Sequence, residues 1–288
     1  MIEFAIVSGK GGTGKTTLTA SFAVLAENKV IADCDVDAPD LHLLLKPEIK
    51  QKSEFHGMKR AYISKDECIE CGICRDKCRF DAISEDYVVD PISCEGCEVC
   101  SYACPVKAIE MRDTVSGYWF VSDTPYGPMV HGILEIGEEN SGKLVTVIRK
   151  QALFLAQKQN VNYLIVDGPP GAGCPVNSTL SGLKYTVIVT EPTQSGLHDL
   201  ERIVNLAHHF NVRPFVVINK YDINKEVSLR IKKRLDEIRA NFLGSIPFDR
   251  TVNAALKMGK PVVEFAPESE ASLAVKEIWE RFKKSVLS

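Results

Sequence analysis

The sequence predicts an α/β fold, a mostly parallel sheet with helices on both faces. Three observations predict it. Short apolar runs alternate with amphipathic stretches of helical period. A glycine-rich loop of pattern G-x4-G-K-[ST] stands between the first apolar run and the first such stretch. A cysteine-rich segment breaks the alternation after its second strand, and the alternation resumes beyond it.

Taken in order, strands are expected near 2–7, 29–33, 163–167, 185–190, 214–218 and 242–246. Helices are expected near 15–27, 143–159, 196–210, 225–240 and 269–285. Ser195 reads as the N-cap of the fourth strand's following helix. Leu273, Ile278, Trp279 and Phe282 give the last helix an apolar face. Ser116–Val121 and Met129–Ile136 read as added β structure, with Trp119 and Phe120 in the core.

The chain has 288 residues, enough for one large α/β domain and a small insert. A net charge of −3 gives no global field toward nucleic acid or an anionic membrane, and neither partner is expected. No apolar run is long enough for a membrane span. The N-terminus, Met1-Ile2-Glu3-Phe4-Ala5-Ile6-Val7, lacks a basic leader and reads as a first strand, so a cytoplasmic location is expected.

The loop Gly9-Lys10-Gly11-Gly12-Thr13-Gly14-Lys15-Thr16-Thr17 has the strand–loop–helix context of a phosphate site. Its glycines let backbone N–H groups close round phosphates, and the helix N-terminus adds about half a positive charge. Lys15 is placed to reach the β- and γ-phosphates and Thr16 to ligate Mg²⁺. The extra lysine makes this loop resemble the deviant Walker A loop of the MinD, ParA, Mrp and nitrogenase iron protein group of ATPases. The resemblance implies P-loop ATPase activity and a nucleotide-dependent homodimer, with Lys10 reaching the partner's nucleotide.

Downstream segments match the same group in order. Ala32-Asp33-Cys34-Asp35-Val36-Asp37 looks like its first switch, which implies that Asp35 orients the attacking water and stands near Mg²⁺. Tyr163-Leu164-Ile165-Val166-Asp167-Gly168-Pro169-Pro170-Gly171 resembles Walker B joined to the second switch, which implies Mg²⁺ binding by Asp167 and motion at Gly168 and Gly171. Asn219-Lys220-Tyr221-Asp222 ends a strand at a base-binding position, and the segments from Pro247 and around Pro261 resemble the C-terminal part of MinD-type ATPases. Asn219 and Asp222 also match the guanine-reading motif of many GTPases. The deviant loop and the Pro247 to Pro261 segments make ATP the expected nucleotide, with GTP left open.

Two cysteine runs fill the insert: Cys68, Cys71, Cys74, Cys78 and Cys94, Cys97, Cys100, Cys104-Pro105. They form an internal repeat at an offset of 26 residues, which carries Ala82 and Ile83 onto Ala108 and Ile109. In such runs three cysteines wrap one cubane and the fourth ligates the other. The expected [4Fe–4S] sites are thus Cys68, Cys71, Cys74 and Cys104 for one, and Cys78, Cys94, Cys97 and Cys100 for the second. Residues 60–112 resemble a bacterial two-cluster ferredoxin, with Arg79 in place of the proline usual after the first run. Residues 1–59 and 113–288 are then the ATPase domain. Zinc, which favours C-x2-C pairs, and disulfides, which need an oxidising compartment, are the competing uses of such cysteines.

Of the other cysteines, Cys34 reads as a small core side chain, and Cys174 as structural, switch-linked or ligating. His198, His208 and His209 read as surface residues. Three functions are carried forward: ATP-gated electron transfer to a redox partner, assembly or carriage of Fe–S clusters or a metal to an acceptor protein, and a redox-sensing nucleotide switch.

Overall fold

The computed structural model describes residues 1–135, 138 and 140–287. The chain divides into two compact units, Met1–Lys52 with Trp119–Ile133 and Ser141–Ser288, and Ser53–Tyr118 with Leu134–Asn140.

In the first unit the chain runs β1 (Ile2–Ser8), α1 (Lys15–Leu25), β2 (Lys29–Asp33) and α2 (Leu41–Leu45). β3 (Glu48–Ile63) carries it into the second unit, which holds α3 (Ile73–Lys77) and α4 (Val99–Ala103). β4 (Ile109–Thr124) returns, and β5 (Gly127–Leu134) follows after a two-residue link. The first unit then continues with α5 (Ser141–Lys158), β6 (Tyr163–Pro170), α6 (Cys174–Leu180), β7 (Tyr185–Thr190), α7 (Gln194–His209) and β8 (Arg213–Asn219). It ends with α8 (Lys225–Glu237), β9 (Asn241–Ile246), α9 (Arg250–Lys257), α10 (Val262–Phe265) and α11 (Glu270–Leu287).

The sheet order is β3-β4-β5-β2-β6-β1-β7-β8-β9. The pairs β5–β2, β2–β6, β6–β1, β1–β7, β7–β8 and β8–β9 are parallel. The order changes direction at β1, so the loop after β1 opens at the carboxyl edge where doubly wound sheets bind ligands. β1 and β6 are near-continuous apolar runs because the sheet is covered on both faces. Phe4, Phe22, Trp279 and Phe282 pack together between β1, α1 and α11, with Phe4 and Phe282 ring centres 4.5 Å apart.

Four expectations are corrected. Thr193, not Ser195, caps α7: its side chain accepts from Gly196 N, while Ser195 lies inside the first turn. Leu273 is 49% exposed; the buried face of α11 is instead Ala271, Val275, Ile278, Trp279 and Phe282. Trp119 and Phe120 are only half-buried, with Phe120 stacked on His131. The expected strand to Ile136 ends at Leu134, and Ile136 itself lies outside the described residues.

In the second unit the 26-residue repeat recurs in the backbone. α3 and α4 are each five residues long and begin 26 residues apart. Gly72 and Glu98, their N-caps, are both left-handed, as are Glu70 and Gly96. Ser64 N donates to Ala108 O and Asp90 N to Ala82 O, so each copy closes onto the other. Ala61, Ile63, Ile83 and Ile109 form the unit's small core. A Cβ on Gly96 would lie 2.3 Å from Lys59 O, at φ +62°, which explains glycine there.

Candidate functional site

In the first unit, β1 ends at Ser8 and the loop 9–14 turns directly into α1. Gly14 is the N-cap at φ +91°, where a Cβ would lie 2.3 Å from Asn219 Nδ2. Only glycine meets both the dihedral and the contact. Asn219 Nδ2 donates to Thr13 O at 2.8 Å, so the end of β8 holds the loop in shape.

Lys15 is the first residue of α1 and is 6% exposed. Its Nζ lies 3.1 Å from Asp167 Oδ1 at the end of β6 and 3.4 Å from Asp35 Oδ2 after β2. Thr16 Oγ1 donates to Asp167 Oδ2 at 2.9 Å. Residues of the loop, of the segment after β2 and of the end of β6, far apart in sequence, thus meet within one cluster. Burial works to lower the pKa of Lys15, yet Asp167, Asp35 and Asp33 outweigh it and hold the ammonium above its ordinary value. Asp33 is 1% exposed, and burial with the neighbouring Asp167 charge pushes its carboxyl well up. Burial also raises Asp35 and Asp37. Asp33 Oδ1 accepts from Asp35 N at 3.1 Å and so shapes the first-switch turn.

The oxygens of Thr16, Asp35 and Asp167 surround a cation, here the Lys15 ammonium. They are hard donors of the kind Mg²⁺ takes, and the buried oxygens Asp33 Oδ2 and Thr13 Oγ1 have no hydrogen-bond partner among the described residues. Phosphates drawn to Lys15 and the helix N-terminus would leave these carboxylates for a divalent ion. The donor set therefore fits Mg²⁺ with a nucleotide.

Lys10 is 35% exposed at its side chain, with Nζ 3.8 Å from Glu191 Oε2 and 3.5 Å from Ser195 Oγ. Glu191 Oε1 also accepts from Lys220 Nζ at 2.6 Å. Asp222 Oδ1 accepts from Phe248 N at 2.7 Å, which ties the residue after Pro247 to the end of β8. Gly168 is buried within β6, and Gly171 follows at φ +89°. Gly9, Gly11, Gly12 and Thr17 lie in or just after the loop, as the motif requires.

Sequence reasoning missed Thr19 and Glu191. Thr19 Oγ1 donates to Asp167 Oδ1 at 2.7 Å, one helical turn beyond Lys15 and on the same face. That i, i+4 spacing from Lys15 was the available signal. Glu191 is invisible from sequence because both its partners are distant in the chain. Cys34 is fully buried and its thiol is pushed far up by burial, which makes it inert core. Cys174 is exposed at the start of α6. His198 is exposed, and His208 Nε2 pairs with Ile238 O.

In the second unit the eight repeat cysteines surround two cavities. Cys68, Cys71, Cys74 and Cys104 line one. Cys78, Cys94, Cys97 and Cys100 line the other. Each takes three thiols from one copy and the fourth from the other. Among the described residues no three Cys, His, Asp or Glu side chains converge on one point as a mononuclear ion needs; the thiols stand around a space. Apolar neighbours such as Ile63 and Ile109 complete the walls of the first, and Ala61 and Ile83 with Glu95 and Glu98 those of the second. Four thiols round an apolar cavity fit a cubane with one cysteine per iron.

Among the described residues no helix is long and apolar enough to cross a membrane. The family model of the CobQ/CobB/MinD/ParA nucleotide binding domain matches residues 4–262. An uncharacterized protein of Methanocaldococcus jannaschii is 35% identical over 290 residues, covering 99% of this chain and 98% of that protein. A protein of Pyrococcus abyssi named iron-sulfur cluster carrier protein is 26% identical over 298 residues, covering 97% of this chain and 84% of its own. The crystal structure of the cell division ATPase MinD of Pyrococcus furiosus superposes with a TM-score of 0.62 at 19% identity, covering 99% of each chain. With its loop, its Lys15–Asp167 cluster and a match over most of its length, the chain belongs to the CobQ/CobB/MinD/ParA nucleotide-binding family and is a P-loop ATPase.

Proposed function

We propose that this ATPase uses its nucleotide cycle to gate one-electron transfer through two [4Fe–4S] clusters held in a ferredoxin-like insert, residues 60–112. The observation that carries the reading is the gathering of eight cysteines into two four-thiol cavities within a P-loop ATPase. Each set already provides the four thiolates of a resident cluster, which favours redox use over release.

In this reading the backbone N–H groups of residues 9–17 receive the phosphates, and Lys15 leaves Asp35 and Asp167 to pair with the β- and γ-phosphates. Mg²⁺, when bound, supplies further positive charge there and is held by Thr16 and Asp167 with Asp35 alongside. Asp35 orients a water whose oxygen bonds to the γ-phosphorus as the bond to the bridging oxygen of ADP breaks. Lys10 leaves Glu191 and reaches the nucleotide of a second copy, so that ATP closes a homodimer. Asn219, with Asp222 and Pro247, stands at the base. Asn219 and Asp222 bond the protein's own backbone through Thr13 O and Phe248 N, which supports ATP over a guanine-reading use. The clusters, when bound, supply one-electron storage, and the electron passes to a redox partner.

A carrier function is the second reading. The observations favouring it are the names of the Pyrococcus relatives and the exposed thiol of Cys174. One experiment separates the two. Redox titration and stopped-flow reduction are run with and without a non-hydrolysable ATP analogue. A coupling of about 1–3 kcal/mol corresponds to a potential shift of roughly 40–130 mV for one electron. If neither potential nor rate responds and the chain stays monomeric with nucleotide bound, gating fails, and iron transfer to an apo-acceptor becomes the expected activity.

A further inference from the structure

The two thiol sites share one backbone plan and differ in charge. At the 26-residue offset, Glu95 and Glu98 of the second copy replace Ile69 and Gly72 of the first. Both carboxylate residues line the cavity of Cys78, Cys94, Cys97 and Cys100. The wider surroundings agree. Residues 95–103 carry those two acids and no base, while residues 69–77 balance Glu70 and Asp76 with Arg75 and Lys77.

A second difference, among the hydrogen bonds of the described residues, lies in the backbone. Glu70 N donates to Cys68 Sγ at 3.4 Å and Ala108 N to Cys104 Sγ at 3.3 Å. Both sulfurs belong to the site of Cys68, Cys71, Cys74 and Cys104, where such donors stabilise added negative charge. Net charge and hydrogen bonds to sulfur are two of the factors that set the potential of an iron–sulfur site, and here both point the same way. Exposure differs less: each site has one exposed cysteine, Cys71 and Cys97, and the first also has the buried Cys74.

We infer that the chain makes its two cluster sites unequal: the site of Cys68, Cys71, Cys74 and Cys104 takes the first electron, and the site beside Glu95 and Glu98 takes the second. The inference rests on the cluster reading above. One electron enters from a reduced donor, with no bond made and no proton moved. The internal direction of flow is then from the Glu95/Glu98 site to the Cys68/Cys104 site, which becomes the point of exit.

The test uses the full chain, reconstituted anaerobically with iron and sulfide and titrated with dithionite under EPR observation. Two separate midpoints are expected. Glu95→Gln with Glu98→Gln should raise the lower midpoint and leave the upper in place. The reciprocal change Ile69→Glu, at a residue 61% exposed and so tolerant of charge, should lower the upper one. Coincident midpoints in the unaltered chain, or a glutamine shift that falls on the upper midpoint, overturn the inference while leaving two clusters. A chain that takes up no iron overturns the cluster reading itself and this inference with it.

Discussion

Thr19 Oγ1 holds Asp167 Oδ1 at 2.7 Å, and this contact fixes the carboxylate that faces Lys15. Both side chains are essentially buried, so the bond orients the carboxylate that Walker B contributes. Thr19→Val keeps the shape and removes the donor. The expected result is a loss of about 1–3 kcal/mol in unfolding free energy, the cost of leaving a buried acceptor short of a partner. Denaturant unfolding measures it, and an unchanged midpoint would show that the bond contributes nothing.

In the proposed cycle Lys15 serves binding and Asp35 serves turnover. Lys15→Ala removes the charge on the phosphates and leaves two facing carboxylates uncompensated, so tight ATP binding should be lost. Asp35→Ala should bind ATP nearly as well while hydrolysis falls about 10²-fold or more, if Asp35 positions water. Calorimetric binding and phosphate release give the two readings. Equal turnover in Asp35→Ala and the unaltered chain would assign the role elsewhere.

Metal content follows from the two cavities. Anaerobically purified protein should hold about 8 iron atoms per chain, four per cubane. Because Cys104 lines the cavity of Cys68, Cys71 and Cys74, Cys104→Ser should damage that site and spare the one nearest to it in sequence. Zinc in place of iron in the reconstituted protein would sink the assignment.

His131 makes the first unit acid-sensitive. Its Nε2 stands 2.9 Å from Ser122 Oγ, its ring stacks on Phe120, and burial together with His42 lowers its pKa from 6.5 to about 4. The folded state thus binds this proton more weakly than the unfolded one. The stabilising contribution is complete above pH 6.5 and is lost as pH falls from 6.5 to about 4, by at most about 3 kcal/mol. His131→Gln should flatten that part of the stability profile. Parallel acid profiles for the two proteins would disprove it.

Much of this molecule is legible in the order of its residues, where the determining contacts are local. The loop from Gly9 to Thr17 declares itself because strand, glycines and helix start follow one another directly. The strands at 29–33 and 185–190 fall where the apolar runs lie. The repeat of the cysteine runs implies two copies of one unit, and α3 and α4 are of equal length. What tertiary structure decided depends on residues far apart in the chain. Sequence does not show that Lys15 stands between Asp35 and Asp167, that Glu191 holds Lys220 beside Lys10, or that Asn219 braces Thr13. The sixteen-residue β3 is also hidden, because its outer half is exposed and polar and lacks the alternation that marks a half-buried strand. Leu273 and Thr193 teach the same lesson at smaller scale. Helical period allows several apolar faces and several caps, and only the packing of α11 against the sheet and the path of the chain into α7 select one, because burial and hydrogen bonding are properties of the folded neighbourhood.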